Sequence, residues 1–169
     1  RAFVTIEGSS PVPATDAIHN PPRHHLEVPM NPAAGKAGKH VLCEKPIAIT
    51  AAEAEQLRAI PPGIVFYEAF MVRFHPQWLR ARDIVRSGDL GEVLAINAVF
   101  TYFNADPGNV RNQADIGGGG ILDIGCYPIT IARFLLDAEP TRVVSLIERH
   151  HRLGPEHPAS GSADFVQCR

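Results

Sequence analysis

Short apolar runs alternate with helical patterns from residue 16 to about residue 90. Asp16-Ala17-Ile18-His19 reads as a short strand that runs into a Pro21-Pro22 break. Residues 26–37 carry a helical pattern, with Pro29, Pro32 and Gly35 set to interrupt it. His40-Val41-Leu42-Cys43 has the look of a short buried strand, stopped by Pro46. Thr50-Ala51-Ala52-Glu53 fits a capping box. The Thr hydroxyl can accept from the backbone N–H of Glu53, and the carboxylate can reach back to the cap. A helix to about Ala59 follows, ended by Pro61-Pro62-Gly63, and Ile64-Val65-Phe66-Tyr67 is the next buried strand. Helix and strand repeated at this spacing predict a parallel α/β sheet. Pro76 stands where a first helical residue should, since its missing N–H is not needed there, and Gly88 and Gly91 close that helix near Ser87.

The pattern then changes. From Val93 to Phe103, Leu94, Ile96, Ala98, Phe100 and Tyr102 fall on one face, with Asn97 and Thr101 on the other. This predicts a long strand with one buried face, as in an open antiparallel sheet. A loop rich in Asn, Asp and Gly spans 104–120, an apolar helix 121–136, and a further strand Arg142 to Arg149. The Pro-, Gly- and Ser-rich tail from His150 shows no clear period. Two parts are expected: an α/β part over residues 1–91 and an α+β part with a largely antiparallel open sheet over 92–169.

Composition narrows the class. Apolar residues make up 45% of the 169, charged residues 20%, a soluble globular balance. The formal net charge of -2 gives no basic footprint, so nucleic acid is not an expected partner. No apolar run is long enough to span a bilayer, and no basic-plus-apolar signal opens the chain. Cys43, Cys126 and Cys168 are odd in number and widely spaced, which suits a reducing compartment, and the cytoplasm is the expected location. The chain begins at Arg1 without a Met, and an incomplete chain is one reading of that.

Few residues carry candidate chemistry on pattern alone. Lys45, held extended by Pro46, would stand at the carboxyl end of a parallel strand, where open α/β sheets place their ligands. A surface Lys in a turn fits the same pattern. Asp123 and Tyr127 sit four apart on one helix face among Ile121, Leu122, Ile124 and Ile129; they could be a structural pair or a catalytic one. A Tyr beside a Lys is a usable acid/base, because the ammonium favours the phenolate. The glycine run 117–120 reads as a close-approach turn, with phosphate binding as the weaker reading. Paired His24-His25 and His150-His151 do not share a face and His157 is isolated, so no metal site is expected. His75 is a helix-opening or cleft residue and a candidate substrate contact.

Together these segments resemble one family. Gly38 to Ala48, with Glu44-Lys45-Pro46 at its centre, is similar to the E-K-P signature of the glucose-fructose oxidoreductase/inositol dehydrogenase (Gfo/Idh/MocA) family. Glu68 to Pro76 resembles the segment that follows it there. Asn109-Val110-Arg111, the glycine run and Leu122-Asp123-Ile124-Gly125-Cys126-Tyr127-Pro128-Ile129 resemble its G-G-G…D-x-G-x-Y stretch. Order and spacing agree over roughly residues 16–150.

The resemblance implies the C-terminal part of a Rossmann domain that binds NAD or NADP, then the start of a sugar-binding domain. It implies catalytic roles for Lys45, Asp123 and Tyr127, cofactor contacts from Glu44, Lys45, Pro46 and Arg111, and substrate contacts from Arg73, His75, Asp123 and Tyr127. It further implies a cis Lys45–Pro46 bond, a sugar or diol substrate and a homo-oligomeric full-length protein. Tyr127, where inositol-type members carry His, brings the chain nearer the xylose, dihydrodiol and glucose-fructose branch. No G-x-G-x-x-G occurs in the sequence, and Pro22-Arg23-His24-His25 replaces the family's usual turn. The expectation is therefore a partial oxidoreductase that binds cofactor weakly by itself, or else a non-catalytic binding or dimerisation module of the same fold.

Overall fold

Three short parallel strands organise the first of two compact units, which divide between Phe70 and Met71, ahead of the change in pattern near Gly91. The computed structural model describes residues 15–20, 31–104, 106–149 and 158–163. The Pro21-Pro22 break, Pro29, the paired histidines, His157 and Cys168 lie outside the described residues. Strands β1 (Ala17–Asn20), β2 (His40–Cys43) and β3 (Phe66–Glu68) form a sheet in the order β1-β2-β3, all parallel. Ala17 pairs with His40 and Asn20 with Cys43; Val41 pairs with Phe66 and Cys43 with Glu68. All three strands therefore end at one carboxyl edge, which positions whatever follows Asn20, Cys43 and Glu68.

Helix α1 (residues 31–36) runs through both Pro32 and Gly35, contrary to the interruption expected there. Pro32 stands in the first described turn, where its missing N–H is not needed, and Gly35 is tolerated because the chain passes close to Ile60. Ala34 lies in the core with Val41 and Cys43, flanked by Ile18 and Phe66, and a Cβ at residue 35 would stand 3.0 Å from the Ile60 side chain. The helix ends in a Schellman turn. Gly38 takes φ 75°, its N–H donates to Gly35 O, and Lys39 N–H donates to Ala34 O. Helix α2 (Ala51–Gln56) joins β2 to β3 and starts with the full capping box of Thr50 and Glu53. It tightens into a 3-10 turn over Leu57–Ala59, where Leu57 is buried.

The two strands expected to be fully buried are covered on one face only. Val41 and Cys43 are buried, but Leu42 and its neighbour Tyr67 in the register are 38% and 37% exposed. Burial of a parallel sheet on both faces needs helices on both sides. Among the described residues only the Val41–Cys43 face has such cover.

The second unit is built on a helix pair. Helix α3 (Pro76–Ser87) has Pro76 in its first turn and Gly88 in the left-handed region at its end, as the sequence predicts. It packs against α4 (Cys126–Leu136), where Ala132 is buried. A π-helical turn over Ile121–Gly125 leads directly into α4. Asp137 closes α4 with φ 52°, one of the few side-chain-bearing residues that tolerates this conformation. Strands β4 (Ser145–Arg149) and β5 (Pro158–Ala163) pair antiparallel, with an irregularity between Glu148 and Arg149.

The long strand expected over residues 93–103 is not formed, and among the described residues the antiparallel pairing is limited to β4–β5. Its apolar residues face solvent: Leu94 is 86% exposed, Phe100 66% and Phe103 93%. A strand is held by its cross-strand partners, and no described segment pairs with this one. The strand expected from Arg142 begins at Ser145, and β5 forms in the tail that showed no period.

Candidate active site

The carboxyl edge of the first sheet holds Glu44, Lys45 and Pro46 in a tied turn. The Lys45–Pro46 bond is cis, as the resemblance implies. Glu44 Oε1 lies 3.1 Å from His19 Nε2, which links the turn back to β1. On the other side, Glu68 Oε1 accepts from Ile47 N–H at 2.7 Å, and Cys43 O accepts from Ala69 N–H at 2.7 Å. Below the turn, the fully buried Asn31 donates from Nδ2 to Cys43 Sγ at 3.1 Å. Pro46 is buried and Lys45 half-buried. Bonds from β1, α1 and β3 thus fix the backbone on which Lys45 stands.

In the second unit the glycine run works as a close backbone crossing. Gly118 N–H donates to Gln113 O and Gly119 N–H to Arg111 O, both at 2.8 Å. A Cβ on Gly118 would stand 2.6 Å from Gln113 O and 2.7 Å from Val110 O, so only glycine fits. These donors are spent on the protein's own carbonyls, which leaves the phosphate reading of the run without support. The crossing brings residues 110–113 against the π-turn. Cys126 N–H donates to Ile121 O, five residues back, and this wider turn carries Asp123.

Asp123 is buried at 9% exposure and clamped on both oxygens. Arg111 Nε lies 3.1 Å from Oδ1, and the Tyr102 hydroxyl donates to Oδ2 at 2.8 Å. Burial first, then the hydrogen bond and charge of Asp123, hold the Tyr102 hydroxyl above the usual tyrosine range; Arg111 pulls the other way. The clamp fixes the carboxylate's direction, and a carboxylate with two donors retains acceptor capacity for a third. Tyr127 follows in the first turn of α4, half-buried. His75 caps α3, its Nδ1 accepting from Gln77 N–H at 3.2 Å. Arg73 ends the 3-10 turn Met71–Arg73 and lines a cleft between α3 and α4.

Of the residues singled out in the sequence, the first unit holds Glu44, Lys45 and Pro46. The second holds Arg73, His75, Arg111, Asp123 and Tyr127. Arg111 and Asp123 are brought together, an ion pair that pattern reading did not foresee. Three supporting residues were missed: Tyr102, Asn31 and Glu68. Tyr102 had been placed on a strand's inner face, and only the long-range contact reveals its role.

Comparison with known proteins decides the family. Residues 78–167 match the GFO/IDH/MocA C-terminal domain, and residues 10–60 match the NAD-binding Rossmann fold of the oxidoreductase family. The chain belongs to the Gfo/Idh/MocA family. It is 46% identical over 136 residues to the uncharacterized oxidoreductase ORF334 of Rhizobium meliloti, covering 79% of this chain and 41% of that protein. It is 33% identical over 156 residues to the D-xylose 1-dehydrogenase (NADP(+)) 2 of Haloferax volcanii, covering 89% and 46%. Among solved structures, a 3-ketoreductase from Actinomadura kijaniata in complex with NADP and TDP-benzene superposes with a TM-score of 0.77 at 34% identity, over 88% of this chain and 46% of that one. The chain thus spans less than half the length of these relatives.

The Gfo/Idh/MocA assignment makes the first unit part of an NAD-binding Rossmann domain. The described carboxyl edge, where open α/β sheets place their ligands, carries Glu44, Lys45 and Pro46 just beyond β2. No G-x-G-x-x-G loop for the pyrophosphate lies within the 169 residues. Among the described residues no helix is long and apolar enough to cross a membrane.

Proposed function

We propose that this chain carries the proton-transfer half of an NAD(P)-dependent oxidoreductase that interconverts a CH–OH group and a ketone on a sugar, sugar nucleotide or diol. Bound NAD(P) supplies a hydride acceptor or donor. Tyr127 exchanges the hydroxyl proton, and Lys45 favours its phenolate and stabilises the developing alkoxide. Asp123 accepts a hydrogen bond from a neighbouring substrate hydroxyl and orients the ring. His75 contacts the substrate; Glu44, Pro46 and Arg111 belong with the cofactor. The functional protein is a homo-oligomer.

The observation that supports this reading most is the clamp on Asp123. Two donors, drawn from residues 102 and 111, converge on one buried carboxylate four residues before Tyr127. The sugar class is supported by relatives that include a xylose dehydrogenase and a 3-ketoreductase. The second reading is a binding or dimerisation module without turnover.

The test is steady-state kinetics of Tyr127→Phe in the active protein that contains this chain. Loss of the acid/base group should lower turnover by ~10²–10⁴-fold and leave cofactor affinity nearly unchanged. Lys45→Ala should do similar damage, and the double variant should be no worse than the stronger single one, because the two act as a unit. Retained turnover in Tyr127→Phe reverses the role assignment. A parent protein containing this chain that neither turns over sugars nor perturbs NADH fluorescence supports the module.

A further inference from the structure

The second unit contains a cleft of about 330 Å³ between α3 and α4 that the proposed reaction leaves largely unused. Neither Asp123 nor Tyr127 lines it. Four arginines do: Arg73 before α3, Arg82 and Arg86 on α3, and Arg133 on α4. Two carboxylates, Asp137 and Glu139, share the lining.

The charges do not balance. Arg86 Nη2 is 2.9 Å from Asp137 Oδ2. Arg133 forks onto Glu139, with Nε and Nη2 at 2.8 and 2.6 Å from the two oxygens. Each acid is therefore consumed by one arginine. Arg82 stacks over the Phe134 ring, its Cζ 4.7 Å from the centroid, and its Nε is buried with no hydrogen-bond partner. Its nearest carboxylate, Asp83, stands at 3.9 Å, beyond hydrogen-bond length. Arg73 has no ion-pair partner among the described residues. Arg73 thus lines the cleft without an ion-pair partner among the described residues, and Arg82, in only a long contact with Asp83, has a buried donor left over. Unmatched charge and an unmade hydrogen bond both cost free energy in partly desolvated surroundings.

We propose that this cleft binds a small oxyanion, a phosphate or carboxylate group, on Arg82 and Arg73, with the Thr130 hydroxyl as a further donor. A guanidinium matches an oxyanion through paired, fixed N–H groups, which an ammonium cannot do. The two existing ion pairs hold the walls, and Phe134 holds Arg82 flat. The volume suits a compact metabolite that bears the anionic group. The site goes beyond the oxidoreductase reading, and it takes Arg73 away from the reacting sugar.

The experiment is a titration of the chain with inorganic phosphate, and separately with acetate, at constant ionic strength in chloride. Binding is read by NMR chemical shifts and by equilibrium dialysis. Saturable binding is expected, weakened by ~10-fold or more in Arg82→Gln and in Arg73→Gln, and unchanged in Arg58→Gln on the first unit. Preference for phosphate over acetate identifies a phosphorylated ligand, and the reverse a carboxylate. If Arg82→Gln melts early through loss of its Phe134 contact, Arg73→Gln, which lies outside the helix pair, decides. Absence of saturation with both anions, or equal binding by the folded variants, overturns the proposal. Neither result depends on turnover, so failure here is distinct from failure of the reaction assigned above.

Discussion

Tyr102→Phe removes a single hydroxyl and leaves the ring in place. The lost bond is the 2.8 Å donation to Asp123 Oδ2, a carboxylate whose side chain is only 12% exposed. Hydrogen bonds to charged groups are worth about 1.5–3 kcal/mol. Tyr102 itself is 48% exposed, so water can replace part of the bond, and the lower end applies: ~1–1.5 kcal/mol. Arg111 still holds the other oxygen, which prevents a full buried-charge penalty. The clean measurement is a double-mutant cycle of Tyr102→Phe with Asp123→Asn, followed by denaturant unfolding. A coupling of about 1 kcal/mol is expected.

A second readout follows from the hydroxyl's raised pKa. A group whose folded pKa lies above its unfolded value contributes stability that is complete below the unfolded pKa, about 10 for tyrosine. That contribution is lost as pH rises through the folded value. The stability difference between the parent chain and Tyr102→Phe should therefore be flat from neutral pH to about 10 and shrink above it. Near-ultraviolet titration should show a late-ionising tyrosine that is absent in the variant. A coupling below about 0.3 kcal/mol, within the usual error of additivity, together with a normal tyrosine titration, would refute the clamp.

Two further outcomes test the local structure. Thr50→Ala should cost ~1 kcal/mol by removing the cap of α2, and Thr50→Ser should restore most of it, measured by unfolding of the first unit. Gly118→Ala should cost about 1–3 kcal/mol, because its Cβ would meet the Gln113 and Val110 carbonyls at a crossing that has no slack. Differential scanning calorimetry will show the shift, and an unchanged melting point would mean that the crossing can open without loss.

How much of this was legible in the sequence depended on how far apart the partners stand. The capping box of Thr50 and Glu53 and the Pro76 start of α3 are decided within one helical turn, and both formed as read. Helix α1 illustrates the opposite case. Gly35 argues locally against it, yet the core position of Ala34 and the close approach to Ile60 at residue 35 favour it. These contacts come from β2 and the α2–β3 connection, so no window of sequence around residue 32 contains them. The alternation over residues 93–103 is real in the sequence, but alternation states which face should be covered and does not supply a partner. Without one, the segment forms no strand and much of its apolar surface is exposed, and Tyr102 uses its hydroxyl on Asp123, 21 residues away.

The candidate site divides in the same way. Lys45 and Tyr127 could be named from motif, because each depends on the residues beside it. The Arg111–Asp123–Tyr102 clamp could not, because it depends on a glycine crossing and a π-turn that move three distant segments into register. The residues proposed for the chemistry are named by local motif, whereas the contacts that hold Asp123 emerge only from the tertiary fold. Substitution at Tyr102 should accordingly shift the orientation of Asp123 while leaving every motif quoted from the sequence intact.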